Sequence, residues 1–205
     1  MAKRTTGSAG PVTESEIRDA DWYGDDLSGQ EHTRVSFVDV DCTETTAQGA
    51  LFTECTFSNC RFNAAVYAEC AFINCTFTGC NFFDATFTGC KAVGSVFVRC
   101  SLDLLSVERG DWSFVQLGGA DLRRSRLTGA RMREADLSRI NAAGGTLTGL
   151  DLSGATLTGA TLTGCDLRGS LLDGLDPLAI QLTGAIVDVQ QALTIAQALG
   201  LDVRS

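Results

Sequence analysis

From Ser15 to Val189 the chain repeats in blocks of five residues, 35 blocks in a row without a slip of phase. Residues 50–89 divide into ALFTE CTFSN CRFNA AVYAE CAFIN CTFTG CNFFD ATFTG, and residues 145–174 into GTLTG LDLSG ATLTG ATLTG CDLRG SLLDG. With the block centre called i, nine of the eleven Phe fall at i, where chance would place about two. The exceptions are Phe83 and Phe114. Leu takes over at i from Leu102 to Leu182, and i−2 is small or apolar, as at Ala50, Cys55, Ala65 and Cys70. Gly occupies i+2 in sixteen blocks.

A period of five matches neither the 3.6 of a helix nor the 2 of a flat strand. Two inward positions per block, followed by a corner, describe a coil that turns every five residues. Gly suits that corner because a turn there needs positive φ or close backbone approach. Four sides give a twenty-residue square coil, and stacked coils bond through their backbones about 4.8 Å apart. The sequence therefore predicts an all-β solenoid, a right-handed quadrilateral β-helix, over residues 15–187. Residues 1–14 are predicted to form a disordered lead-in, and 188–205 a capping and dimerisation segment. The predicted core is a column of i residues: Phe57, Phe62, Phe72, Phe77, Phe82, Phe87 and Phe97, then Leu152, Leu157 and Leu162. No coil can hide its apolar interior alone, so stability comes from stacked neighbours.

Of the nine cysteines, eight lie at i−2 (55, 60, 70, 75, 80, 90, 100 and 165) and Cys42 lies at i. They interchange with Ala and have no histidine partners, so they read as small core residues rather than as a metal site. The one histidine, His32, holds an i position near the start, as a polar substitute where the core is partly open. No phosphate-binding glycine loop, nucleophile elbow or paired buried carboxylates can be found. No catalysis, cofactor or metal is expected. Thr148, Thr158 and Thr163 count onto three different sides, so the threonines form no single ladder.

No apolar run is long enough to cross a membrane. The opening MAKRTTGSAGPVTES lacks the apolar stretch of a secretory signal, so the chain is expected in the cytoplasm. The formal net charge of −9 argues against nucleic-acid binding and for a basic protein partner. The charge is uneven. Residues 14–54 hold eleven acidic and two basic side chains, whereas residues 120–139 hold six Arg (123, 124, 126, 131, 133 and 139) and three acids. The candidate acidic contact surface is Asp19, Asp21, Asp26, Glu31, Asp39, Asp41 and Glu44, with Asp151, Asp166, Asp173 and Asp188 further along.

The period ends near Val189. Asp188 can N-cap a helix with Gln191 as its capping-box partner, and Gly200 is a stop. Ala192, Leu193, Ile195, Ala196 and Leu199 form an apolar stripe wider than a simple cap needs. The stripe is expected to pair with a second copy in a two-fold dimer.

These features resemble the pentapeptide-repeat proteins, whose pattern is A(D/N)LxG or CxFxx. More narrowly, the chain is similar to the MfpA branch of the Qnr/MfpA group, through YGDDLSGQEHT (23–33), GSVFVRC (94–100), QLGGADLR (116–123) and VDVQQALTIAQALGL (187–201). The resemblance implies an acidic rod of roughly duplex-DNA girth, dimerised through its C-terminal ends, that binds DNA gyrase or a related type II topoisomerase. Members protect gyrase from fluoroquinolones or natural gyrase poisons, and some inhibit it. The dimer role carries over to Leu193, Ile195, Leu199 and Leu201. Qnr-type members carry projecting loops that this chain lacks, and the Arg cluster dilutes simple DNA mimicry. The alternative is an interaction scaffold for a partner other than a topoisomerase.

Overall fold

The computed structural model describes residues 10–204. Residues 15–187 wind into a solenoid in which each residue sits beside the one twenty positions later. Ile17 pairs with Phe37, Phe37 with Phe57, and Phe57 with Phe77, all in parallel. The twenty-residue register expected from four blocks of five is thus realised.

Three sides of the rod are sheets. One has five strands: Ser15–Arg18, Val35–Val38, Thr56–Ser58, Thr76–Thr78 and Val96–Val98. The second has six, from Thr46–Gln48 through Val66–Ala68, Thr86–Thr88, Ser106–Glu108 and Arg126–Thr128 to Thr146–Thr148. The third has three: Glu31–Thr33, Leu51–Thr53 and Ala71–Ile73. The fourth side is joined by single bridges, such as Asp21 to Asp41 and Asp41 to Arg61.

Position i−1 goes far to decide which sides extend. No strand carries Asp or Asn there. Where one does stand, its side chain accepts the N–H two residues on: Asp21 from Tyr23, Asn81 from Phe83, Asp136 from Ser138. An Asx-type bond of this kind turns the backbone and replaces the strand.

The core is the column the period predicts. Phe57, Phe62, Phe72, Phe77, Phe82, Phe87, Leu152, Leu157 and Leu162 are buried, while Phe97 is only half-buried. Phe37, Phe57, Phe77 and Phe97 stack nearly face to face, with centroids 4.7 Å apart at each step. Perpendicular contacts link this column to the neighbouring ones, as between Phe77 and Phe82 at 5.4 Å. The out-of-phase Phe83 and Phe114 are exposed, as their positions require.

The corners depart from the glycine expectation. Asp39, Glu54, Ala64, Leu104 and Phe114 are among the non-glycine corner residues held at φ between +52° and +60°. Continuous stacking enforces a conformation that costs an L-residue about 1–2 kcal/mol.

Of the lead-in, residues 1–9 fall outside the described residues. Residues 10–14 lie along the five-stranded side. The Glu14 N–H donates to the Arg34 carbonyl, and a Cβ at Gly10 would stand 3.6 Å from Thr76 Oγ1.

Candidate partner-binding surfaces

The coil phase decides where the acidic residues meet. Asp19 and Asp39 stack on the edge between the five-stranded and bridged sides. Asp21 and Asp41 lie on the bridged side, Glu44 at its far edge, Asp26 on the six-stranded side and Glu31 on the three-stranded side. The seven form a collar around the first coils rather than a stripe along the rod. Asp151 and Asp173 share Glu31's side but lie many coils away, and Asp166 and Asp188 share Asp26's. They do not join the collar.

Within the collar the carboxylates differ in freedom. Asp41 is bound by Arg61 at 2.6 Å and accepts the Thr43 N–H, and the Arg61 hydrogen bond holds its pKa at about 2. One oxygen of Asp26 takes both the N–H and hydroxyl of Ser28, which lowers its pKa. Glu44 takes the Tyr23 hydroxyl and raises that phenol's pKa. Asp39 is shared between Asn59 and, at 3.7 Å, Arg18. Asp19 and Glu31 are exposed and form no ion pair among the described residues. Downstream, Asp151 and Asp166 are taken by Arg133 and Arg168, and Asp173 is exposed without an ion pair among the described residues.

Asp188 serves the cap. It accepts the Gln191 N–H while Gln191 Oε1 accepts the Asp188 N–H, completing the predicted capping box of the helix Val189–Ala198. Its other oxygen accepts the Gly169 N–H. That donor would otherwise bond the carbonyl of a following coil, so a side chain here replaces a missing rung. Buried Gln191 does the same for acceptors, donating from Nε2 to the carbonyls of Leu167 and Ser170. A solenoid end leaves such groups open, and the helix closes them.

Between this helix and the last coil lies an apolar groove of about 310 Å³, lined by Leu182, Ala185, Val187, Ile195, Leu199 and Leu201. Leu193 and Ile195 are half-buried, whereas Leu199 and Leu201 are exposed. The sequence-derived dimer residues therefore gather at one end, two of them uncovered.

The arginines also divide. Arg123, Arg124, Arg131 and Arg133 pair with Asp121, Asp103, Asp111 and Asp151. Arg99, Arg126 and Arg139 are exposed and have no ion pair among the described residues. His32 sits near the first coil, stacked on Phe52 at 5.2 Å and bonded to Gln30, its pKa lowered by burial. Among the described residues no group of His, Cys, Asp and Glu could hold a metal ion, and no helix is long and apolar enough to cross a membrane.

The profile of the pentapeptide-repeat family matches eight copies, over residues 80–103, 113–141 and 135–174. No curated protein matches the sequence. Among solved structures, a trypsin-treated form of QnrB1, a plasmid-mediated fluoroquinolone resistance protein, is 21% identical with a TM-score of 0.69, covering 97% of this chain and 100% of that one. Full-length QnrB1 is 20% identical with a TM-score of 0.55, covering 94% and 100%. HetL, a pentapeptide-repeat protein involved in heterocyst differentiation regulation from the cyanobacterium Nostoc sp. strain PCC 7120, is 20% identical with a TM-score of 0.51, covering 87% and 88%. At these identities the likeness is one of fold.

Proposed function

Because the chain is a pentapeptide-repeat protein, we propose that it is a non-catalytic, DNA-mimicking ligand that binds and modulates DNA gyrase or a related type II topoisomerase in the cytoplasm. The observation that carries this reading is the acidic collar: exposed carboxylates such as Asp19 and Glu31 surround the first coils of a stiff rod. DNA presents about one charge per 1.7 Å of axis, and a protein groove built to neutralise it attracts any rod of like sign. Resistance to fluoroquinolones or natural gyrase poisons is the expected consequence where the bound protein displaces drug-trapped DNA.

The reading includes a two-fold dimer through the C-terminal groove. The exposed Leu199 and Leu201 supply self-complementary apolar surface, and the helix has already closed the backbone rungs. The two acidic collars would then lie at the far tips of a doubled rod.

The test is DNA supercoiling by purified gyrase with the protein titrated, with and without a fluoroquinolone. The expected outcome is inhibition without drug, and weaker binding as salt rises from about 50 to 200 mM. Combined Asp19→Asn, Glu31→Gln and Glu44→Gln changes should raise the half-inhibitory concentration about tenfold or more. Leu193→Asp with Leu199→Asp should give folded monomers by light scattering. No effect of the folded wild-type dimer on gyrase would end this reading. It would favour a scaffold for another protein, docked through the Arg cluster of residues 123–139, where Arg126 and Arg139 are exposed with no ion pair among the described residues.

A further inference from the structure

Seven of the cysteines form three columns along the rod axis: Cys60, Cys80 and Cys100; Cys55 and Cys75; Cys70 and Cys90. Neighbouring thiols in a column lie close enough to shift each other's pKa. Each also donates to carbonyls of the wall. Cys80 Sγ reaches the Phe57 carbonyl at 3.4 Å, and Cys100 Sγ reaches those of Phe77 and Val98 at 3.5 and 3.6 Å. Eight of the nine cysteines are buried, and Cys100 alone is half-exposed.

Above Cys60 and Cys80 the next residue in the column is another cysteine. Above Cys100 the chain runs Gly118, Gly119, Ala120, and a Cβ at Gly119 would meet nothing within 4 Å. Ala120 above Cys100 and Phe97 beside it are half-buried too, so the wall is partly open here. A surface groove of about 650 Å³ on the bridged side reaches Cys100. Arg123 and Arg124 line it, opposite Asp103 and Asp121.

We propose that Cys100 is a thiol-modification site that takes small anionic disulfides, and that Cys80 resolves the adduct into a coil-to-coil disulfide. The two residues are in-register neighbours on adjacent coils. Strand spacing sets their Cα atoms about 4.8 Å apart, inside the range that a disulfide spans. Arg123 and Arg124 are held by Asp121 and Asp103, but Arg99, the residue before Cys100, is exposed with no ion pair among the described residues and favours an anionic reagent. Cys100 is reached by the groove and partly exposed, whereas Cys80 is buried. Contact between the two thiols lowers the Cys100 pKa and raises that of Cys80. Cys100 is therefore the attacking sulfur.

The chemistry is thiol–disulfide exchange. Cys100 releases its proton to solvent, and its thiolate attacks one sulfur of the reagent RS–SR. The reagent's S–S bond breaks, one RS⁻ leaves, and a mixed disulfide forms on Cys100. Cys80 then gives up its proton, attacks Cys100 Sγ and expels the second RS⁻. Two protein thiols are oxidised to one disulfide as the reagent is reduced to two thiols. The link would tie the coil of Phe77 to that of Phe97.

The test uses the folded full-length chain and dithiobis(nitrobenzoate), an anionic coloured disulfide. Wild type should release about two equivalents of thionitrobenzoate per chain and keep no adduct mass. A non-reducing peptide map should show the Cys80–Cys100 link. Cys80→Ala should release about one equivalent and keep the adduct on Cys100. Cys100→Ala, a residue the repeat accepts at this position elsewhere, should react at least about tenfold more slowly. Circular dichroism checks that both variants are folded. A Cys100→Ala rate equal to wild type would overturn the proposal, as would a wild-type adduct that never resolves.

Discussion

Residues 15–100 and 101–187 trace the same twenty-residue coil with different materials. The first region stacks aromatic rings, holds eight of the nine cysteines up to Cys100, and carries eleven of the fourteen strands. The second packs Leu at i, is joined mostly by single bridges, and turns most of its corners at Gly, from Gly144 to Gly184. A flat ring fills one 4.7 Å step and meets rings above, below and beside it. Leu fills the same step with a branched, non-planar group that needs no particular tilt. The same backbone period thus tolerates two core chemistries, provided that each layer is filled.

The largest expected effect tests whether ring stacking adds anything beyond volume. Phe77 and Leu137 stand in one column, the first between Phe57 and Phe97 and the second between Leu117 and Leu157. Phe77→Ala should cost about 3–5 kcal/mol and Leu137→Ala about 2–4, read from urea unfolding. Equal losses would mean that the rings matter only as filler. Both being near neutral would overturn the register itself.

A smaller effect concerns the ion pair between coils. Arg61 holds the Asp41 pKa at about 2, below its ordinary value near 4. A carboxyl whose pKa is lowered by folding contributes stability that is whole above the unfolded pKa. That contribution is lost as pH falls through the folded one. Solvent screening limits it to about 1 kcal/mol. Unfolding midpoints should therefore drop between pH 4 and 2, and Asp41→Asn should flatten that drop. An unchanged profile in the variant would show that the Asp41–Arg61 contact contributes nothing between coils.

The smallest effect compares two corners on the same edge. Ala64 has φ +52° and Gly164 has φ +65°, and a Cβ at Gly164 would meet only the Gly144 nitrogen, at 4.0 Å. Gly164→Ala should cost about 1 kcal/mol, from backbone conformation alone. Ala64→Gly should gain somewhat less, because glycine also loses more entropy on folding. Effects of the same sign would mean that the corner is not held by φ.

Much of this was legible in the chain. The i and i−2 positions mark the core, because a period of five with no slip leaves each side chain one direction to face. Asp188, Gln191 and Gly200 mark the cap, because a capping box is a local pattern of side chain and backbone. The acidic residues could be counted but not gathered. Only the coil phase shows that Asp19, Asp26, Glu31 and Glu44 ring one end while Asp151 and Asp166 lie apart beside arginines. Non-glycine corners were hidden as well, since local preference opposes positive φ at Leu104 or Phe114 and stacking overrides it.

By itself, the sequence determined the coil, its core and its closure, because those depend on short-range periodicity. The tertiary structure decided which groups are free. Cys100 has the same block position as Cys60 and Cys80, yet it is the one half-exposed thiol. Its neighbour in the column is the half-buried Ala120, a full coil later in the chain and one strand spacing away in space.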